Sequence, residues 1–121
     1  MTSHASRMLI VDDEPDVCEC LRDFFSAKGF AVSEAGTGSG AITRFVEDHP
    51  DVVLLDLGLP DCFGLEVLRR LKALAPEVRV VMVTAMDQPE LRRQARDAGA
   101  CGYVTKPFDF ADATWAPVLA A

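Results

Sequence analysis

The sequence predicts an α/β fold: five parallel strands alternating with helices that cover both faces of one sheet. Three observations carry that expectation. Five short apolar runs recur along the chain, and three of them are almost unbroken Val, Leu, Ile and Met. Strands of that kind suit a parallel sheet buried on both sides. Stretches with helical apolar spacing fill the intervals between the runs. Finally, side chains bearing carboxylate, hydroxyl or ammonium groups stand at or just past the ends of four runs. That edge is where sheets of this class bind ligands.

The elements follow in order. "RMLIV" at residues 7–11 reads as the first strand. Pro15 opens a helix whose stripe is Val17, Leu21, Phe24 and Phe25, and Gly29 is its stop signal. "FAVSE" at 30–34 is the second strand, followed by a stripe of Ala41, Ile42, Phe45 and Val46 that Pro50 closes. "DVVLL" at 51–55 is the third, and the stripe Val67, Leu68, Leu71 and Leu74 ends ahead of Pro76. "RVVMVT" at 79–84 is the fourth strand. The helix after it has a thin stripe, Leu91, Ala95 and Ala98, with Asp87 and Glu90 placed for a capping box and Gly99 for its end. "GYVT" at 102–105 is the fifth strand. Asp109 is placed to cap a fifth helix in "DFADATWAPVLAA", but Pro117 falls in its interior and removes a backbone donor. That helix is expected to be short or bent. Trp115 is open between exposure and packing on the first helix.

At 121 residues the chain is expected to form a single domain, with residues 1–6 as a flexible tail. Lys and Arg number 12 and Asp and Glu 19, for a formal charge of −7. Such acidity argues against phosphate-driven binding to nucleic acid. The four cysteines, Cys18, Cys20, Cys62 and Cys101, form no CxxC pair and have no zinc spacing. They read as reduced, mostly buried thiols. No signal-peptide or membrane-span pattern is present, and the expected setting is cytoplasmic, away from membranes.

The strand ends carry the chemistry. The first delivers Asp12 and Asp13, the third Asp56, the fourth Thr84, and the fifth Lys106 followed by Pro107. Clustered carboxylates need a counter-charge, and a hard divalent ion such as Mg²⁺ with oxygen ligands supplies it. Lys106 adds a positive charge and Thr84 a neutral donor. Together they suit a phosphoryl group, with a carboxylate able to accept it as nucleophile.

"VDDEPDV", "DVVLLDLGLPDCFGLEVLRRL", "VVMVTA" and "GACGYVTKPFD", in that order and spacing, resemble the receiver domain of bacterial two-component response regulators, of the chemotaxis-receiver type. The resemblance spans about residues 8–110. It implies a flavodoxin-like doubly wound sheet of strand order 2-1-3-4-5. It also implies that Asp56 takes a phosphoryl group from the phosphohistidine of a partner histidine kinase or phosphotransfer protein. Asp12, Asp13, Asp56 and the backbone carbonyl of Gly58 would hold Mg²⁺. Thr84 would hydrogen-bond the phosphoryl group and Lys106 would pair with Asp56 or its phosphate. Tyr103 would be the switch aromatic that turns inward when Thr84 moves, and Pro107 would follow a cis peptide. The resemblance further implies self-catalysed phosphorylation and dephosphorylation without a metabolic substrate, and output through an effector domain or a downstream protein.

Some positions depart from the family pattern. Gly58 and Met86 stand where the family tunes access of water to the phosphoryl group, and Gly58 leaves that approach open. Leu59 replaces a common Met before Pro60, and Pro117 puts homodimerisation through the last helix in doubt. Arg92, Arg93 and Arg96 read as a solvated face, with an acidic partner's contact surface as the alternative. Cys18 and Cys20 point in different directions on the first helix, where the family docks its kinase. Two other functions fit the residues less well. A pseudo-receiver acting only as a binding module would not need the full Asp12, Asp13, Asp56, Thr84 and Lys106 set. A haloacid-dehalogenase-like phosphatase would need a second acid two residues after its nucleophile, and Gly58 follows Asp56 there.

Overall fold

A computed structural model of the chain describes residues 6–119. Residues 1–5 of the expected tail lie outside them. The order of elements is β1 (Arg7–Val11), α1 (Pro15–Ala27), β2 (Ala31–Ala35), α2 (Gly38–Asp48), β3 (Val52–Leu55), α3 (Gly64–Leu74), β4 (Arg79–Thr84), α4 (Pro89–Asp97), β5 (Gly102–Thr105) and α5 (Ala116–Leu119). The strands form one parallel sheet in the order β2-β1-β3-β4-β5. β1, β4 and β5 have the expected bounds. β2 begins and ends one residue later than expected, because Phe30 is held in the preceding turn by its N–H bond to the Phe25 carbonyl. β3 begins one residue late, at Val52; Asp51 just ahead of it is tied to β1, its carboxylate accepting from the Arg7 N–H at 2.8 Å.

Alternation along the strands divides the core in two. Leu9, Val11, Val53, Leu55, Val80 and Met82 face α2, α3 and α4. Met8, Ile10, Val52, Leu54, Val81 and Val83 face α1 and the C-terminal segment. Both faces are covered, which explains why the strand sequences are apolar without alternation.

The helix ends follow local chemistry. Pro15 begins α1, and Gly29, at φ 98°, ends it. The Thr37 hydroxyl caps α2 by accepting from Gly40 N–H at 2.9 Å. The capping box expected at α4 does not form. Gln88 is the N-cap without a side-chain bond, Pro89 opens the helix, and Glu90 bonds Arg93 and Gln94 instead.

The C-terminal segment corrects two expectations. Asp109 caps a turn rather than a helix: its carboxylate accepts from Ala111 N–H at 3.0 Å and from the Thr114 hydroxyl at 2.6 Å. The described helix starts only at Ala116, so Pro117 lies in its first turn, where a missing N–H is harmless, and not in an interior. Trp115 is fully buried. It stacks edge-on against Phe25 of α1 and against Phe108, and its indole N–H donates to the Asp109 carbonyl at 2.7 Å. All four cysteines are free, but only Cys18 is buried, and Cys101 is exposed. No helix among the described residues is long and apolar enough to cross a membrane.

One close approach holds the loop after β3 in place. Gly64 N–H donates to the Leu57 carbonyl at 2.8 Å. A Cβ at Gly64 would lie 2.2 Å from the Asp56 carbonyl oxygen and 2.7 Å from the Leu57 Cα, both backbone atoms that cannot step aside. Gly64→Ala is therefore expected to destabilise the fold by about 1–3 kcal/mol, the usual range for overpacking. A lowered urea midpoint checks this; an unchanged midpoint contradicts it.

Candidate functional site

The carboxyl ends of the strands bring the predicted residues together. Val11 is in register with Leu55, so the residues that follow them, Asp12 and Asp56, emerge side by side. Thr84 is in register with Thr105, which places Lys106 next along the same edge. Backbone bonds extend the ladder past the strand ends. Asp12 N–H donates to the Ala35 carbonyl at 3.0 Å, Asp56 N–H to the Val11 carbonyl at 3.0 Å, and Lys106 N–H to the Thr84 carbonyl at 2.8 Å. The stubs that carry the polar side chains are thus as fixed as the sheet.

Lys106 reaches into the cluster. Its Nζ lies 2.8 Å from Asp12 Oδ2, 3.0 Å from Asp56 Oδ2 and 2.8 Å from Glu14 Oε1. Asp12 and Asp56 are 4% and 6% exposed, so two of these charges have lost nearly all their water. The remaining carboxylate oxygens are also occupied: Asp12 Oδ1 accepts from Glu14 N–H at 2.9 Å and Asp56 Oδ1 from Gly58 N–H at 3.2 Å. Burial raises the Asp12 pKa above its ordinary value, and the bond from Lys106 offsets this only in part. Burial alone would lower the Lys106 pKa, but its bonds to Asp12, Glu14 and Asp56 outweigh that and hold it above the usual lysine range. The ammonium is therefore permanent at neutral pH.

One lysine does not balance the acids. Asp12, Asp13 and Asp56 each offer a carboxylate oxygen, and the three oxygens lie within 4.8 Å of one another. Asp13 is exposed, which keeps one side of the group open to solvent. An all-oxygen, carboxylate-rich donor set with room for water fits Mg²⁺ or a similar hard cation, and suits neither zinc nor copper.

The other predicted residues surround this cluster. Thr84 is 1% exposed, and its Oγ1 accepts from Met86 N–H at 3.3 Å. The Tyr103 ring packs beside the α3/α4 core, and its hydroxyl donates to the Met86 carbonyl. The Lys106–Pro107 peptide is cis. Gly58 sits in the loop after Asp56, where a Cβ would meet only Met86 Cε, at 3.5 Å.

Two residues escaped the sequence reading. Glu14 was visible as the third acid of the run after β1, yet nothing local reveals that it reaches Lys106, 92 residues away. Asp61 had no local signal at all. Its two oxygens accept from Gly38 N–H at 2.7 Å and Ser39 N–H at 3.0 Å, tying the loop that follows Asp56 to the start of α2.

This geometry agrees with relationships to known proteins. A family model described as the response regulator receiver domain matches residues 8–115. The chain belongs to the response regulator receiver-domain family. It is 44% identical over 101 residues to the transcriptional regulatory protein KdpE of Mycobacterium tuberculosis, covering 84% of this chain and 44% of that protein. It is 32% identical over 103 residues to the sporulation initiation phosphotransferase F of Bacillus subtilis, covering 85% of this chain and 83% of that protein. A crystal structure of a response regulator protein from Burkholderia pseudomallei, with a phosphorylated aspartic acid, calcium ion and citrate, matches with a TM-score of 0.81 at 25% identity, covering 86% of this chain and 61% of that one. The chain spans less than half the length of the KdpE-type regulators it matches.

The Asp61 clamp makes a pH prediction. Backbone N–H bonds from Gly38 and Ser39 hold its pKa below the ordinary 3.8. A depressed carboxylate pKa contributes stability above the unfolded value, and that contribution is lost as pH falls through the folded value. The stability gap between wild type and Asp61→Ala should be constant near neutrality and close only in acid, below about the ordinary value of 3.8. Denaturant unfolding across pH measures it. A gap that persists to the lowest pH at which the protein folds contradicts the clamp.

Proposed function

We propose that this chain acts as a single receiver domain that switches state when Asp56 accepts a phosphoryl group, in a reaction that depends on Mg²⁺. The observation that supports this most is the convergence of Asp12, Asp13, Asp56 and Lys106 at one sheet edge, with carboxylate oxygens close enough to share one cation. Asp12, Asp13, Asp56 and the Gly58 carbonyl would hold the ion. When bound, it neutralises charge on the transferring phosphoryl oxygens.

The remaining chemistry falls to the chain itself. Bonds from Gly58 N–H and Lys106 aim the Asp56 carboxylate. An Asp56 oxygen attacks the phosphorus of a kinase's or phosphotransfer protein's phosphohistidine. The phosphorus–nitrogen bond breaks, and the imidazole leaves with the electron pair. Lys106 then pairs with a phosphoryl oxygen, and the Thr84 hydroxyl donates to another. Thr84 vacates space beside Tyr103, whose ring turns inward and alters the α4–β5 surface that an effector domain or downstream protein reads. Hydrolysis by water at phosphorus resets the domain. The free thiols fit a reducing, cytoplasmic setting. The open Gly58 would leave water's approach unobstructed.

Two outcomes are expected. Incubation with Mg²⁺ and acetyl phosphate adds one phosphoryl group by intact-protein mass spectrometry, and Asp56→Asn or removal of the metal with EDTA abolishes it. An unmodified wild-type protein would rule out the switch. Separately, Gly58→Asn, whose side chain would reach toward Met86, lengthens the phosphoryl lifetime; equal decay rates for the two proteins would refute an access role for Gly58.

A further inference from the structure

We propose that Asp61 is a positioning residue of the cation and phosphoryl site, tethering the loop after Asp56 to the start of α2 so that Gly58 is held in place beside Asp56. The proposal rests on the receiver reading above and extends it to a residue outside the carboxylate cluster.

The loop between β3 and α3 is closed at its base. Gly64 N–H donates to the Leu57 carbonyl at 2.8 Å, and Gly58 pairs with Phe63 in an isolated antiparallel bridge. Asp61 stands at the far end of this hairpin, and both its oxygens are spent on the neighbouring element. Oδ1 accepts from Gly38 N–H at 2.7 Å and Oδ2 from Ser39 N–H at 3.0 Å. These N–H groups open α2 and have no partner inside the helix. An anion suits them twice over, as a hydrogen-bond acceptor and as a charge at the positive end of the helix. The approach is close. A Cβ at Gly38 would lie 2.3 Å from Cys62 Sγ and 3.4 Å from Asp61 Oδ1, so glycine there lets the loop press against the helix.

The other end of the hairpin meets the site. Gly58 N–H donates to Asp56 Oδ1 at 3.2 Å and so aims that carboxylate. In this arrangement oxygens of Asp12, Asp13 and Asp56 already lie within 4.8 Å of one another. The tethered loop is thus one that presents a gathered carboxylate set, and the carbonyl assigned to the ion belongs to the same Gly58. Released from α2, the loop would sample other positions, and an ion would have to order it again on binding, at a cost in affinity. Outer groups that hold a metal's ligands in place contribute roughly ten- to a hundredfold to its affinity. Asp61 is exposed and acts through the loop backbone, so its share falls at the low end, roughly tenfold. Thr37 separates tethering from capping. It also caps α2, its hydroxyl accepting from Gly40 N–H at 2.9 Å, but among the described residues none of its side-chain bonds reaches the loop.

The test titrates the protein with Mn²⁺, following the free ion by electron paramagnetic resonance, and measures hydrogen exchange of the Gly58 amide by NMR on the metal-free protein. Asp61→Ala is expected to weaken Mn²⁺ binding roughly tenfold and to speed exchange at Gly58. Asp61→Asn, which keeps one oxygen acceptor, should fall between Asp61→Ala and wild type. Thr37→Ala should lower stability by loss of a cap while leaving Mn²⁺ affinity and Gly58 exchange unchanged. Asp61→Ala protein that binds Mn²⁺ as tightly as wild type would overturn the proposal. So would an equal loss of affinity in Thr37→Ala, which would make the effect one of helix capping, or a weakened affinity with unaltered Gly58 exchange. Wild-type protein that binds no Mn²⁺ would instead sink the cation reading, and the proposal with it.

Discussion

The structure depends on the ammonium of Lys106 being held among Asp12, Glu14 and Asp56. Two of those carboxylates are almost fully buried, and charge in such a place is tolerable only when paired. The lysine comes from the fifth strand and the acids from the first and third, so the pairing exists only once the sheet has closed in its observed order. Fold and site are in this sense one object. The backbone bonds that continue the ladder past each strand fix the polar stubs, and the apolar strands beneath give them a rigid footing.

Even so, the lysine is outnumbered. Asp12, Asp13, Glu14 and Asp56 present four carboxylates to one ammonium, and burial still holds the Asp12 pKa high. This residual excess of negative charge, open to solvent at Asp13, is what a divalent cation would relieve. Lys106 has several partners of similar distance, and under the proposed phosphorylation a phosphoryl group on Asp56 would offer it another.

Much of this was legible in the sequence because parallel strands buried on both faces leave an unmistakable apolar run, and the residue after each run is then at the ligand-binding edge. Asp12, Asp13, Asp56, Thr84 and Lys106 were all found that way. What failed was chemistry that depends on which of several partners a polar group takes, whether near in the chain or remote. Asp51 looked like a strand residue but caps the Arg7 N–H. Asp87 and Glu90 had the spacing of a capping box, yet Arg93 and Gln94 won Glu90, and Pro89 opened the helix instead. Pro117 seemed to fall in the interior of a short or bent helix because the residue pattern does not show that Asp109 and Trp115 build a turn ahead of it. The Asp61 clamp likewise joins segments that share no sequence pattern.

The most direct measurement is a crystal structure of the protein grown with Mn²⁺, a Mg²⁺ surrogate whose anomalous signal locates it, and beryllofluoride. The account predicts one ion bonded to oxygens of Asp12, Asp13 and Asp56, with the fluoride group on Asp56 and Lys106 turned toward it. An ion bound elsewhere, or an Asp56 left bare while another side chain carries the beryllium, would contradict it.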